Sequence, residues 1–285
     1  MYEQFCRRNE NLLKEEKYRA LDKAADIMAG TKEVIRTGFV AFDHSDGGFG
    51  RGELVLLGAR PTIGKTSMAL QIAEYNAIRL RVPVFYISLQ RPPCYVMKRL
   101  LQQMTGIDSH HELIGEEANE LFQATYTKIR EAPFYVRFYD NLTMNQIRNE
   151  MRICPEMPQL VIVDEIGMPY LSKKESLRIM KEMRKLAEAT DATVLLLSNI
   201  SRLVDERQDH LPLWVDFPVP GRVADMMILM YREGYYNPEH SEAGYDPTHL
   251  RIYDCNGVGQ ERLTINYVVD SGRFEREQYH LKGIK

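Results

Sequence analysis

The sequence predicts an α/β protein: a mainly parallel sheet flanked by helices, with antiparallel C-terminal strands and a helical arm in front. Three observations point there. Apolar runs at residues 54–57, 84–88, 134–138, 160–163 and 194–198 show no polar alternation, as expected of strands buried on both faces. Helix-favouring stretches at 66–80 and 95–104 separate the first of these runs, so strand and helix take turns. Beyond Asp225 the runs 226–231, 249–253, 263–268 and 272–275 are divided by Asn, Gly, Pro and Asp, the pattern of an antiparallel continuation of the same sheet.

The arm comes first. From residue 7 to about 29, Leu12, Leu13, Leu21, Ala24, Ala25 and Ile27 recur among Glu, Lys and Arg, which makes an amphipathic helix. Gly30, Thr37-Gly38-Phe39 and the glycine-rich stretch 46–52 end it before the first strong strand. Residues 1–30 are therefore expected to form the arm and 31–285 one domain, because no repeat, low-complexity tract or linker divides the rest. With 285 residues, 44% of them hydrophobic, the chain can bury a sizeable core, which excludes a disordered or fibrous protein. Its 37 Lys plus Arg against 40 Asp plus Glu give a formal charge of -3, so any contact with nucleic acid has to come from a local basic patch. No apolar run approaches the roughly 20 residues that span a bilayer. The start is charged where a secretory signal would be apolar, and a cytoplasmic protein without a membrane partner is expected. The four cysteines Cys6, Cys94, Cys154 and Cys255 are too scattered for a zinc site or a disulfide framework and read as reduced thiols.

The strongest chemical signal follows the first strand and opens a helix: Gly58-Ala59-Arg60-Pro61-Thr62-Ile63-Gly64-Lys65-Thr66. A tight turn ending in Gly-Lys-Thr points backbone N–H groups at a polyphosphate, at the positive end of the helix that follows. Lys65 is placed to reach the outer phosphates and Thr66 to hold Mg²⁺. Such a loop needs an acidic metal partner at the end of a neighbouring buried strand, and Leu160-Val161-Ile162-Val163-Asp164-Glu165 supplies Asp164 for that role. Glu165 is then a candidate for activating water. ATP and Mg²⁺ are the expected cofactors.

These residues, with others spread from about 30 to the end, resemble the motor domain of DnaB-type replicative DNA helicases, a hexameric group with a RecA-like core. The match runs through Thr37-Gly38-Phe39 and Asp43, Gly52-Glu53-Leu54, Ala59-Arg60-Pro61, Gly64-Lys65-Thr66, Ser88-Leu89, Thr143 with Ile147-Arg148, Asp164, and Leu197-Ser198 with Arg202. It continues through Arg207 with Asp209 and Pro212, Ala224-Asp225, Tyr231-Arg232 and Asn256-Gly257. Ala59-Arg60-Pro61 explains why the general phosphate-loop pattern lacks its first Gly. The resemblance implies a RecA-like P-loop ATPase binding ATP through residues 59–66, Asp164 and Asn199. It implies a ring, single-stranded DNA as partner, and other replication proteins around it. The family's separate N-terminal domain is expected to be absent, with the arm standing where the family has a linker helix that docks on the adjacent subunit.

Several positions depart from the family. Gln90 follows Ser88-Leu89 where the family has the Glu that activates water, and an amide cannot accept the proton. Tyr253-Asp254-Cys255 stands where the family sends a Lys-x-Arg finger into the neighbour's site. Asn199 replaces the family's phosphate-sensing Gln, and the stretch 212–224 is short and altered, with Trp214, Phe217, Pro218 and Pro220. Glu165 is the expected substitute base, the alternative being a structural salt-bridge partner. Arg251 is the expected displaced finger, the alternative being a solvated edge-strand arginine. For DNA, Arg202, Arg207 and Arg222 surround the altered loop and Trp214 or Phe217 can stack a base. The opposing reading pairs those arginines with Asp205, Glu206 and Asp209 and packs Trp214 on the core or a neighbour. Two functions follow: an ATP-driven helicase or translocase, or a nucleotide-binding subunit that no longer hydrolyses ATP and assembles with DNA or a true helicase. A recombinase or clock-type relative of the same core fits the motifs less well.

Overall fold

A computed structural model describes residues 21, 33–45, 47–107, 116–140, 143–167, 171–217, 223–240, 244–254 and 260–275. The chain divides into two units, Met1–Val34 and Ile35–Lys285, and nearly all described residues belong to the second. Apart from Leu21, the expected arm lies outside the described residues, as do His110-His111, Arg222, Cys255 and Asn256-Gly257.

The second unit is a sheet with helices on both faces. Its strands are β1 (Leu54–Ala59), β2 (Val84–Ser88), β3 (Phe134–Phe138), β4 (Leu160–Ile166), β5 (Thr193–Asn199), β6 (Met226–Arg232), β7 (Tyr245–Asp254), β8 (Gln260–Val268) and β9 (Arg273–Phe274). They lie in the order β9-β8-β7-β6-β1-β5-β4-β2-β3. From β6 through β1, β5, β4 and β2 to β3 every pairing is parallel. From β6 to β9 every pairing is antiparallel. Each residue of β1, β2 and β5 is buried, which is why those runs carry no polar alternation.

The longer α-helices are α1 (Val40–Ser45), α2 (Lys65–Glu74), α3 (Pro93–Thr105), α4 (Glu116–Arg130), α5 (Met144–Ile153) and α6 (Lys173–Thr190). One core cluster packs α2 and α3, through Met68, Leu70, Ile72, Val96 and Leu100, against Leu57, Tyr86 and Ile162. The other packs α5 and α6, through Ile147, Met151, Met180, Met183 and Leu186, against Leu56, Val161 and Leu196. Helix α2 gives way at Tyr75 to a wider π turn through Arg79.

Several of the family-like residues turn out to hold the frame. Thr143 opens α5 with a reciprocal cap, its hydroxyl accepting from the Gln146 amide while the Gln146 side chain accepts from Thr143. Ser172 and Glu175 do the same for α6. The Asp43 carboxylate accepts from the Thr37 N–H at 2.7 Å, the Thr37 hydroxyl at 2.8 Å and the Gly38 N–H at 2.9 Å. Gly38 sits at φ 78°, and a Cβ there would lie 2.5 Å from Tyr75 Cγ, so both conformation and space demand glycine. Asp225 accepts from the Leu54 N–H at 3.0 Å and from Arg184 Nη2 at 2.9 Å, which ties the start of β1 to α6.

Candidate nucleotide site

Parallel strands that share a direction deliver their C-terminal ends to one edge of the sheet, and ligands gather there. Ala59 ends β1 opposite Asn199 at the end of β5, and Ser88 ends β2 opposite Asp164 on β4. The loop 60–64 then turns into α2. Gly64 precedes the helix at φ 123°, where a Cβ would come within 2.8 Å of the Phe274 ring. The glycine thus lets the C-terminal strand close over the loop. That strand is pinned to α2 by Gln71, which donates to the Phe274 carbonyl at 2.8 Å and accepts from its N–H at 2.6 Å. Arg232 braces the loop from below, donating to the Ile63 carbonyl at 3.3 Å while stacked 4.5 Å from the Tyr267 ring centre and ion-paired with Asp246 at 2.9 Å.

A cleft of about 700 Å³ opens on this loop, lined by Pro61, Thr62, Gly64, Lys65, Thr66, Gln90, Arg99, Asp164, Glu165 and the turn 269–272. The Lys65 ammonium donates to Asn199 Oδ1 at 2.8 Å and lies 3.2 Å from Glu165 Oε2. Burial holds Lys65 below the usual lysine range, despite the Glu165 carboxylate beside it. Glu165 also accepts from Gln90 Nε2 at 3.0 Å and from the Asn199 amide. The Thr66 hydroxyl donates to Asp164 Oδ2 at 2.9 Å, and the Tyr86 hydroxyl donates to the same oxygen at 2.5 Å. Burial raises the Asp164 carboxyl above its ordinary range, and the Tyr86 and Thr66 hydrogen bonds only partly oppose it. Tyr86 is itself raised, by burial first and then by Asp164.

Lys65, Thr66, Asp164, Glu165 and Gln90 are thus brought to one cleft with Pro61, Thr62 and Gly64 of the loop, and Asn199 supports Lys65 and Glu165 from outside its lining. Arg60 turns away from it: its guanidinium pairs with Asp205 at 2.8 Å, and the Tyr236 hydroxyl donates to the same carboxylate at 2.9 Å. Arg251 requires a correction. It is 7% exposed inside β7 and donates to the Pro212 carbonyl at 3.2 Å, so neither a finger presented to a neighbour nor a solvated edge arginine describes it. Its strand is an inner one, with β6 on one side and β8 on the other, and the segment at Pro212 meets the guanidinium where solvent would otherwise be.

At the candidate DNA loop the side chains divide into committed and exposed ones. Arg207 is committed to a carboxylate, though to Asp216 and not to its nearest acidic neighbours, and it also donates to the Leu211 carbonyl at 3.0 Å. Phe217 is buried. Trp214 is 54% exposed, next to exposed Val215, and Arg202 is exposed as well. Sequence reasoning missed Tyr86 and Arg99, and it assigned Asp205 to the loop arginines where the structure pairs it with Arg60. Arg99 donates to the Ser67 hydroxyl at 2.8 Å on the wall of the cleft. The period of two along β2 places Tyr86 on the same side as Ser88, the one available signal, but a tyrosine in an apolar strand reads as core.

A phosphate loop at the end of a central parallel strand, with an acidic residue at the end of another and an antiparallel extension closing over the loop, defines a RecA-like P-loop nucleotide-binding domain. The chain belongs to the family of the DnaB-like helicase C-terminal domain, which matches residues 34–271. Replicative DNA helicase DnaB of Leifsonia xyli subsp. xyli is 27% identical over 229 residues, 75% of this chain and 50% of that protein. DnaB of Geobacillus stearothermophilus is 28% identical over 221 residues, 72% of this chain and 48% of that one. The chain spans about half the length of these curated relatives. Among solved structures, an ATPase domain superposes with a TM-score of 0.79 at 20% identity, covering 93% of this chain and 98% of that one. A DnaB-like replicative helicase whose structure was solved with regard to its interactions with primase gives 0.78 at 21%, covering 90% and 65%. The two superpositions speak to the fold.

Proposed function

We propose that the chain is an ATP-driven motor of the DnaB kind, hydrolysing ATP with Glu165 as base and moving along single-stranded DNA as part of a ring, most simply a hexamer. The observation that supports it best is the convergence of Lys65, Thr66, Asp164, Glu165 and Gln90 on one cleft, with Asn199 bonded to Lys65 and Glu165. Thr66 and Asp164 are hard oxygen donors beside open space, a set that suits Mg²⁺ with part of its water shell retained. When bound, the metal would offset phosphate charge.

The remaining steps belong to this chain. In the resting arrangement Glu165 holds Lys65. An arriving γ-phosphate competes for that ammonium, and the exchange releases the Glu165 carboxylate. Water then attacks the γ-phosphorus, its proton passes to Glu165, and the bond to the β–γ bridging oxygen breaks to leave ADP and phosphate. Gln90 donates to Glu165 and keeps it in place; it cannot take the proton itself. Asn199 touches both Lys65 and Glu165, so it registers which partner Lys65 has. Arg60 links the phosphate loop through Asp205 to the segment carrying Arg202 and Trp214, a direct route from nucleotide to the proposed DNA loop. Arg202 and Trp214 are the proposed DNA contacts among the described residues, and Arg222 belongs with them by sequence.

The test is ATP turnover by the pure protein with and without single-stranded DNA, alongside its mass by light scattering. DNA-stimulated turnover by a ring, reduced in Trp214→Ala by the loss of about 1–3 kcal/mol of stacking per base, is the expected result. A protein that binds Mg-ATP without any turnover would favour the non-hydrolysing subunit instead.

A further inference from the structure

We propose that Tyr86 is a positioning residue of the metal site, fixing the Asp164 carboxylate through its hydroxyl. The proposal rests on the nucleotide-binding reading above. Tyr86 lies in β2, paired with Ile162 of β4 on one side and Val136 of β3 on the other, two residues before the Ser88–Asp164 pair. Its side chain is fully buried, and its ring meets Phe134 edge-on at 6.1 Å. Packing therefore aims the hydroxyl along the sheet to its C-terminal edge, where it donates to Asp164 Oδ2 at 2.5 Å.

Thr66 is the other side-chain donor to that carboxylate, at 2.9 and 3.2 Å. The two donors differ in what a nucleotide asks of them. Thr66 lies in the first turn of α2 directly after the phosphate loop, where its hydroxyl oxygen would be needed to hold Mg²⁺. Tyr86 sits behind Asp164 in the core and is not among the residues lining the cleft. It could keep its hydrogen bond to Oδ2 with a metal bound, leaving Oδ1 available to the group that Asp164 would hold. An acceptor fixed by a rigid partner loses less freedom when the metal arrives, and partners of this kind typically change metal affinity by about 10–100-fold.

Tyr86→Phe keeps the ring and its packing and removes the hydroxyl. Using the full chain with ADP, Mn²⁺ binding is followed by the loss of its free paramagnetic signal, and ADP binding in EDTA is measured separately. The expected result is Mn²⁺ affinity weakened by about 10-fold with ADP affinity in EDTA unchanged. In an Asp164→Asn background the same substitution should change nothing further. Equal weakening of ADP binding with and without metal would mark Tyr86 as a structural residue only and overturn the proposal, as would unchanged Mn²⁺ affinity. Should the Phe variant not fold, Tyr86→Met removes the same hydroxyl with a side chain that adapts to the slot. A wild type whose ADP binding gains nothing from Mn²⁺ would overturn the nucleotide-site reading itself, a result separate from the Tyr86 outcomes.

Discussion

Glu165→Gln should tighten ATP binding and stop turnover, and the two effects have one cause. Glu165 Oε2 stands 3.2 Å from the Lys65 ammonium, with side-chain exposures of 11% and 4%. At an effective dielectric of about 20 that separation is worth roughly 5 kcal/mol of attraction. Little of it survives as net stability, because both ions were taken out of water to make the pair. The incoming triphosphate must displace the carboxylate, and it recovers a similar contact with the same ammonium. What the exchange costs is the difference between the two partners, for which about 1–2 kcal/mol is a reasonable scale, or some 5–30-fold in affinity. Glutamine keeps the size and the Asn199 contact while removing the competing charge. A non-hydrolysable ATP analogue should therefore bind about 10-fold more tightly, while turnover falls by about 10²–10⁴, the usual loss with a general base. Equilibrium titration with a fluorescent analogue and a phosphate-release assay read the two quantities. Weaker analogue binding in the variant would refute the competition, and undiminished turnover would refute the base.

Gln90→Glu, which restores the family's residue, should lower turnover or leave it low, because the new carboxylate would replace an amide donor 3.0 Å from Glu165 and force the two acids to share a proton; an increase in phosphate release would show that the acids do not meet. Nucleotide affinity should fall as pH rises from 7 to 10. Lys65 is held below the ordinary lysine value of about 10.4 by burial, the phosphate binds its protonated form, and a flat titration across that range would contradict the assignment. Asp205→Asn should lower stability by no more than about 1 kcal/mol. Burial opposes it, but Arg60 and the Tyr236 hydroxyl hold Asp205 below the usual carboxylate range. The pair's contribution is therefore present above that usual range and lost as pH falls through the lowered value. Thermal melts from pH 7 to pH 3 should show the variant losing that acid-dependent part, while an identical pH profile would mean the pair contributes nothing.

The strands were legible because a buried parallel strand is a compositional fact: 84–88 and 134–138 coincide with β2 and β3, and 194–198 falls one residue short of β5 at either end. Helices α4, α5 and α6 were harder, since their apolar stripes are diluted by charge and each buries only a few residues. The phosphate loop was legible for a different reason, because its chemistry depends on a local turn spelled out by consecutive residues. Tyr86 and Asp205 were not. Their partners lie 78 and 145 residues away, and only the sheet order brings them together. Arg251 shows the converse limit: the strand period gives its face, but whether that face meets solvent depends on β8 and Pro212.

Gln90 and Glu165 are best understood as a single exchange. Taken alone, glutamine at the family's base position reads as loss of catalysis, and a glutamate next to the metal aspartate reads as an extra ion pair. In the fold the two side chains meet, the amide of Gln90 donating to the carboxylate of Glu165. Two carboxylates at that distance would repel, and glutamine at position 90 removes that repulsion. Glutamine is the replacement that keeps the length, offers a donor and adds no charge. Asn199 fits the same logic, since its amide donates to Glu165 while its oxygen accepts from Lys65. A side chain that could only accept would leave Glu165 short of a donor. Gln90, Asn199 and Lys65 therefore satisfy one another around the Glu165 carboxylate. Glu165 is thus a partly buried carboxylate held by two amides and a lysine, the arrangement of a structured site and not of a stray surface charge.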